Sequence, residues 1–322
     1  MKLAGHLALA VLLAVFLLAP FIVHPGLVFI AGFAMIQIVF ALSWNILFSY
    51  AGLVSFGHAA FFGIGAYLSA AALRYGWNVS FLLIPPASFA LGAFAAFLVA
   101  IVVLRRANGI QFSVLTLALS QLVVVLIGYS PYLGHDEGIS AIPRPVINLG
   151  IATLNLANPL ANYYFVIGVG LVTILLIWLV VHGPLGRTMQ AVRIDPERAA
   201  FVGIDVWRLR VASFTLSGGF AAVGGSLLAP WAQIVHPDYV NWLASAQPIF
   251  ATLLGGVGHF WGPVVGVLGL AGLNYFTRTF VGISEIVVGA SLLVVVLVAP
   301  QGILGALRKA ARKRKAAAGA HP

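Results

Sequence analysis

Cysteine is absent from this 322-residue chain. That removes disulfides, thiolate metal sites and cysteine nucleophiles, and leaves the redox compartment open. Charge is nearly as scarce: 7% of the residues are Asp, Glu, Lys or Arg, against roughly a quarter in an ordinary soluble domain. The lysines are confined to Lys2, Lys309, Lys313 and Lys315. No stretch has the form GxxxxGK[ST], so the chain carries no phosphate-cradling loop with which to hydrolyse ATP. Of the acids, only Glu285 falls near an apolar run, at its outer end. Proton- and sodium-coupled carriers usually keep an ionisable group deep in the membrane, although sodium can also be held by backbone carbonyls at broken helices. No HExxH or GxSxG occurs, and three adjacent residues such as His135, Asp136 and Glu137 do not readily converge on one ion. The expectation is no catalytic residue, no metal and no enzyme.

What the chain has is hydrocarbon: 62% of its residues are apolar. Apolar runs fall at roughly 7–23, 27–48, 52–73, 79–104, 110–128, 163–182, 211–229, 246–257, 263–280 and 284–299. A spanning helix needs about 20 such residues, so the fold expected is all-α, a polytopic bundle of about ten transmembrane helices. The run at 246–257 is short and reads as re-entrant or as extended into its flanks. The run after Lys2 imitates a signal peptide, but no small-x-small cleavage site follows in Pro20–Pro25, so it is read as a retained first helix.

The net charge of +10 lies in short clusters between the runs, which suits orientation in a membrane and not nucleic acid. With both termini cytoplasmic, the inner set is Lys2, Arg105, Arg106, Arg187, Arg193, Arg198, Arg208, Arg210, Arg308, Lys309, Arg312, Lys313, Arg314 and Lys315; the outer set is Arg74, Arg144 and Arg278. The reading is one transmembrane domain over 1–307, with an outer loop at 129–161 and an inner loop at 183–210. A basic tail at 308–322 sets orientation and touches anionic lipid.

Within the inner loop, Asp195 suits a helix N-cap, Pro196 the first helical position and Gly203 the C-terminal cap. At 100° per residue, Pro196, Ala199, Ala200 and Gly203 share a face opposite Arg198 and Phe201. A face of small residues fits a groove on another protein; packing against its own bundle is the plainer alternative. In the third run, Ser55, Ala59 and Gly63 are spaced by four as a packing ladder, and Gly57 and His58 put flexible backbone and a polar ring near its start. Gln37, Trp44 and Asn45 share a side of the second run, and Ser113, Thr116, Ser120 and Gln121 a side of the fifth. These polar groups either join helices or line a wet path.

The segments GLVSFGHAAFFGIGAY, FSVLTLALSQ, GHDEGISAIPRP, GRTMQAVRIDPERAAFVGID and VLVAPQGILG, in that order, resemble the branched-chain amino acid ABC transporter permeases, in particular the longer, M-type subunit. The resemblance runs from about Ser43 to Gly305. It implies a subunit of an importer in the bacterial cytoplasmic (inner) membrane. The partners implied are a second permease (a paralogue), two ATP-binding subunits that hold the ATP, and a periplasmic solute-binding protein. It carries the ATPase-coupling role onto Gly186, Arg187, Ala191, Arg193, Glu197, Ala199, Ala200 and Gly203, with Asp195 and Pro196 opening that helix; Arg198 interrupts the family's Glu-Ala-Ala. Gly134, Asp136, Gly138 and Pro143 match the family's outer loop, where His135 and Glu137 depart from it. Ser55, Gly57, His58, Gly63, Thr116, Ser120 and Gln121 are candidates for the translocation path. Relatives for urea or short amides, and an autonomous secondary carrier, stand as alternatives.

Overall fold

In the computed structural model, residues 13–14, 16–107, 109–148 and 153–277 are described, with 286–287, 289–290, 293, 297 and 302–305. The start of the run at 7–23, most of the last run at 284–299, Lys2, Arg278, Glu285 and the tail at 308–322 lie outside them.

The helices are α1 (Pro25–Asn45), α2 (His58–Arg74), α3 (Ile84–Val103), α4 (Ile110–Gly128), α5 (Pro159–His182), α6 (Pro184–Ile194), α7 (Pro196–Phe201), α8 (Val206–Ala232), α9 (Trp242–Gly255) and α10 (Gly262–Thr277). Five segments are long and apolar enough to cross a bilayer: Pro25–Ala51, Phe81–Val103, Ile110–Gly128, Pro159–His182 and Val206–Ala232. They are charge-poor stretches of 19 to 27 residues, matching the roughly 20 that the hydrocarbon core demands. Among the described residues, strand structure is limited to a short antiparallel ribbon, β1 (Val146–Asn148) with β2 (Thr153–Asn155), and an isolated bridge between Ile139 and Val235.

Helix α8 is the axis of the bundle, buried along most of its length. Glycine lets its neighbours approach. A Cβ on Gly65 of α2 would sit 1.8 Å from the Ala222 carbonyl oxygen, and one on Gly225 would sit 1.8 Å from that of Phe62. On the other side, a Cβ on Gly92 of α3 would lie 2.4 Å from that of Ala222. Lipid gives no hydrophobic drive for helices to associate, so such close approach, with its dispersion energy, holds the trio together. The lipid-like faces are elsewhere: α3 and α4 leave most of their apolar side chains exposed or half-buried, with Phe94, Val102, Val114 and Leu126 exposed.

One of the expected spans is short. Helix α9 has 14 residues, about 21 Å at 1.5 Å per residue, short of the about 30 Å of hydrocarbon. The third run also departs from expectation. Its helix starts at His58, not at residue 52, so Ser55 is not on the helix that carries Ala59 and Gly63.

Candidate functional site

The connections gather on two opposite faces. On one, the guanidinium of Arg105, in the α3–α4 turn, lies 5.1 Å from the ring centre of Trp207 at the start of α8. There too, Arg193 at the end of α6 donates to the carbonyl of Ser49, at the end of the first long segment. On the other face, Tyr75 after α2 donates to the Tyr132 carbonyl at 2.6 Å and stacks on its ring. Of the basic residues within 16–277, Arg105, Arg106, Arg187, Arg193, Arg198, Arg208 and Arg210 belong to the first face, and Arg74 and Arg144 to the second.

The arginine-rich face carries α6 and α7, and α8 begins at Val206, so the last residues of the expected 183–210 loop are helix. Asp195 caps α7 by accepting from the Arg198 amide at 3.0 Å, and its second oxygen meets Arg198 Nε at 2.8 Å. Asp205 repeats the device on α8 with Arg208, at 2.9 and 3.1 Å. Gly203 ends α7 with φ +87°. Ala199 turns inward and is buried, while Ala200 is exposed. The small residues therefore do not form one outward face. What α7 and its flanks present outward is Ile194, Phe201 and Val202, exposed by 85, 90 and 78%. Three large apolar side chains on an arginine-rich loop are the hallmark of a contact surface.

Behind this tip the first long segment breaks. After Asn45 the helix widens into a π turn, Ile46–Ala51, and ends at Gly52 with φ +73°. Residues 52–57 then run without helical hydrogen bonds along α4. Backbone polar groups survive in a membrane only when protein satisfies them, and side chains do so here. Ser113 donates to the Val54 carbonyl at 2.8 Å, Thr116 accepts from the Phe56 amide at 3.2 Å, and Trp44 Nε1 donates to the Ser55 carbonyl at 2.9 Å. The α2 N-terminus is capped from α9, Ser245 accepting from the Ala59 amide at 2.9 Å. Ser43 gives its hydroxyl hydrogen to the Phe40 carbonyl. His58 Nε2, 2.9 Å away, is then the donor, which leaves Nδ1 bare and buried. Ser49 ties the break together: its hydroxyl donates to Asn45 and accepts from the Gly258 amide between α9 and α10.

The opposite face is locked to the bundle. Gly134 and Gly138 adopt φ +83° and +70°. A Cβ on either would meet a carbonyl oxygen at 2.0 or 2.1 Å, that of Gly138 or Val235 respectively. Ile139 and Val235 exchange both backbone hydrogen bonds at 2.9 Å, and Arg144 reaches the Pro230 carbonyl at 3.3 Å. Pro143 stays exposed beside buried Ile142. In the adjoining loop the Tyr239 hydroxyl is raised above its ordinary range, by burial first and by Asp238 second.

Between α1, α9 and α10 opens a cleft of about 700 Å³. Phe29, Phe33, Leu243, Phe250 and Leu270 make it apolar, and Gln37, Gln247 and Asn274 supply polar groups. Among the described residues, no group of three His, Asp or Glu side chains is placed to hold a metal ion.

Residues 26–298 match the family model described as the permease component of a branched-chain amino acid transport system. The chain belongs to that family. The permease is 28% identical, over 97% of its own length and 78% of the relative's, to the high-affinity branched-chain amino acid transport system permease protein LivM of Escherichia coli K12. It is 25% identical to LivH of the same system and organism, over 82% of its length and 90% of the relative's. The same identity relates it to the probable branched-chain amino acid transport permease protein LivH of Methanocaldococcus jannaschii, over 85% and 90%. No solved structure matches.

Sequence reasoning grouped Ser55, Gly57, His58, Gly63, Thr116, Ser120 and Gln121 as one path. In the permease, Thr116 holds the broken backbone and the Ser120 hydroxyl donates to the Leu117 carbonyl within its own helix. Gly57 lies so near α4 that a Cβ would be 1.9 Å from the Thr116 carbonyl oxygen. Gly63 faces Val240, 2.5 Å from where its Cβ would be. None of the seven lines the cleft. Gln37 does line it, with Gln247 and Asn274, which sequence reasoning passed over. The available signal was one carboxamide on the i, i+3/4, i+7 face of each short apolar helix.

Proposed function

We propose that this chain is the membrane-spanning permease subunit of an ABC importer for branched-chain amino acids, moving solute by alternating access driven by ATPase partners. The observation that carries the reading is the family match over residues 26–298. It is supported by the apolar tip of Ile194, Phe201 and Val202, which suits a groove on an ATP-binding subunit. It accords with the absence of a phosphate-binding lysine loop in the sequence, since hydrolysis then belongs to a partner.

The full arrangement is a multi-pass protein of the bacterial inner membrane with ten spans, both termini cytoplasmic, a permease domain over 1–307 and a basic tail over 308–322. Of two ATP-binding subunits, one meets the loop at 183–210 of this chain, with Gly186, Arg187, Ala191, Arg193, Asp195, Pro196, Glu197, Ala199, Ala200 and Gly203 shaping it. A paralogous permease completes the membrane pair. A periplasmic binding protein delivers solute to the outer loop around Gly134, Asp136, Gly138 and Pro143. Arg193 then links inner loop to break: displacement of α6 pulls on the Ser49 carbonyl and, through the Ser49 hydroxyl, on the α9–α10 turn. Nothing in this chain is chemically changed during a cycle.

The deciding experiment is purification of the tagged chain from its native membrane in mild detergent, with mass spectrometry of what accompanies it. Recovery with an ATP-binding subunit, a second permease and an amino-acid-binding protein is the expected result. Reconstitution then gives ATP-dependent leucine uptake. Uptake by the chain alone, without an ATPase, would refute the importer reading and restore the secondary carrier; uptake of urea in place of leucine would move the substrate class.

A further inference from the structure

The cleft between α1, α9 and α10 has a regular build. Its wall on α1 is Phe29, Ile30, Phe33, Ala34, Gln37 and Ala41; on α9 it includes Leu243, Gln247, Phe250 and Ala251; on α10 it is Val267, Leu270, Ala271, Asn274 and Tyr275, and Gly289 of the last apolar run also borders it. Each set follows the i, i+3/4, i+7 spacing of one helix face, and each face carries one carboxamide among apolar residues. We propose that this cleft is the chamber in which solute rests during passage, and that Gln37, Gln247 and Asn274 select there a net-neutral amino acid with an aliphatic side chain. The inference rests on the importer reading above and adds to it a location and a selection rule.

The chemistry of the lining favours that class. Among the described residues, no Asp, Glu, Lys, Arg or His faces the cleft. A cation or anion would therefore lose water there without meeting a counter-charge, at high cost. A zwitterion carries its own compensation and needs donors for its carboxylate and acceptors for its ammonium. A carboxamide supplies both, and three supply them from three sides. Pro248, which also lines the cleft, brings no amide hydrogen, so α9 lacks the bond that would run from residue 248 to the Ala244 carbonyl. The apolar remainder suits a branched hydrocarbon side chain, and about 700 Å³ lies within the range of small-molecule sites. Neutral amides hold the solute without a fixed charge, which lets it leave as well as enter. A lipid acyl chain would use the apolar walls but has no need of an amide on each.

The absence of cysteine makes the test clean, because Ala271→Cys places the sole thiol of this chain in the cleft wall. In the assembled importer, reaction of that thiol with a charged, membrane-impermeant maleimide is followed by mass shift of this chain. Saturating L-leucine is expected to slow labelling about fivefold or more, and L-lysine and L-glutamate to leave it unchanged. Gln247→Leu is expected to raise the KM for leucine uptake about tenfold, the loss of a hydrogen bond to a charged group, with little change in maximal rate. Leu270→Cys on the same wall repeats the measurement should the first cysteine misfold. Leucine uptake by the unsubstituted importer with no protection at either cysteine would overturn the chamber while leaving the importer reading intact. So would labelling by a lipid-soluble maleimide alone, the mark of an acyl-filled groove. If the unsubstituted importer takes up no leucine, the importer reading falls first, and the chamber with it.

Discussion

The two large loops of this permease differ in what holds them. The loop that carries Gly134 and Gly138 is fixed to the bundle by main-chain geometry: both glycines occupy left-handed φ with no room for a Cβ, and Ile139 pairs with Val235 as in a sheet. The arginine-rich loop is fixed by side chains, chiefly the buried Met189, Val192 and Ala199 beside Gly186, and by the Arg193 bond to Ser49, and turns Ile194, Phe201 and Val202 outward. The first loop is held through its backbone. The second carries an apolar tip suited to a contact surface.

If that contrast is right, substitutions in the two loops fail differently. The largest effect is expected at Gly138→Val, which adds backbone strain to a 2.1 Å overlap with the Val235 carbonyl oxygen. A loss of about 3 kcal/mol or more should appear as a lower thermal midpoint of the purified chain, uptake falling with it. An unchanged midpoint would show that the loop around Gly138 is not locked. Next is Phe201→Asp, expected to cut uptake and recovery of the ATPase partner about tenfold or more, as for an interface anchor, with the midpoint unmoved. A normal yield of complex would remove the apolar tip from the interface.

Arg193→Ala is expected to lower uptake several-fold at normal ATPase recovery, because the loop still docks but no longer holds the Ser49 carbonyl. Arg193→Lys, retaining charge and a donor, should restore part of it, and equal defects in both would separate Arg193 from transmission. The smallest effect belongs to Gly203→Ala. Gly203 shares the left-handed φ of Gly138 but has nothing within 4 Å of an added Cβ. Only the conformational cost of about 1–2 kcal/mol is expected, in the helicity of α7 and not in the global midpoint. A loss as large as that of Gly138→Val would mean that Gly203 is packed after all.

The long spans were legible because hydropathy reports burial in hydrocarbon, and five of the apolar runs correspond to helices such as Ile110–Gly128 and Pro159–His182. The caps at Asp195 and Gly203 were legible for a local reason, since a side-chain acceptor and a left-handed residue act within one turn. The break at 52–57 was not. Gly52 to Gly57 is as apolar as a helix, and what ends the helix is a set of donors and acceptors far along the chain, Ser113 and Thr116. Hydrophobic pattern carries no record of such partners. The cleft was half legible: Gln37 stood out beside Trp44 and Asn45, but Gln247 and Asn274 gain meaning only when α9 and α10 are placed against α1.

The glycines along α8 have a mechanical consequence. Backbone touching backbone at Gly65 and Gly225, and Gly92 against no more than the Ala222 methyl, leave almost no side chain to act as a bearing, so α2, α3 and α8 resist sliding or rolling past one another. They form the stator of this machine. Any stroke driven from the arginine-rich face must be taken up by parts outside that trio, and the short helix α9 and its neighbour α10, with the π turn before Gly52, are the rotor it leaves free.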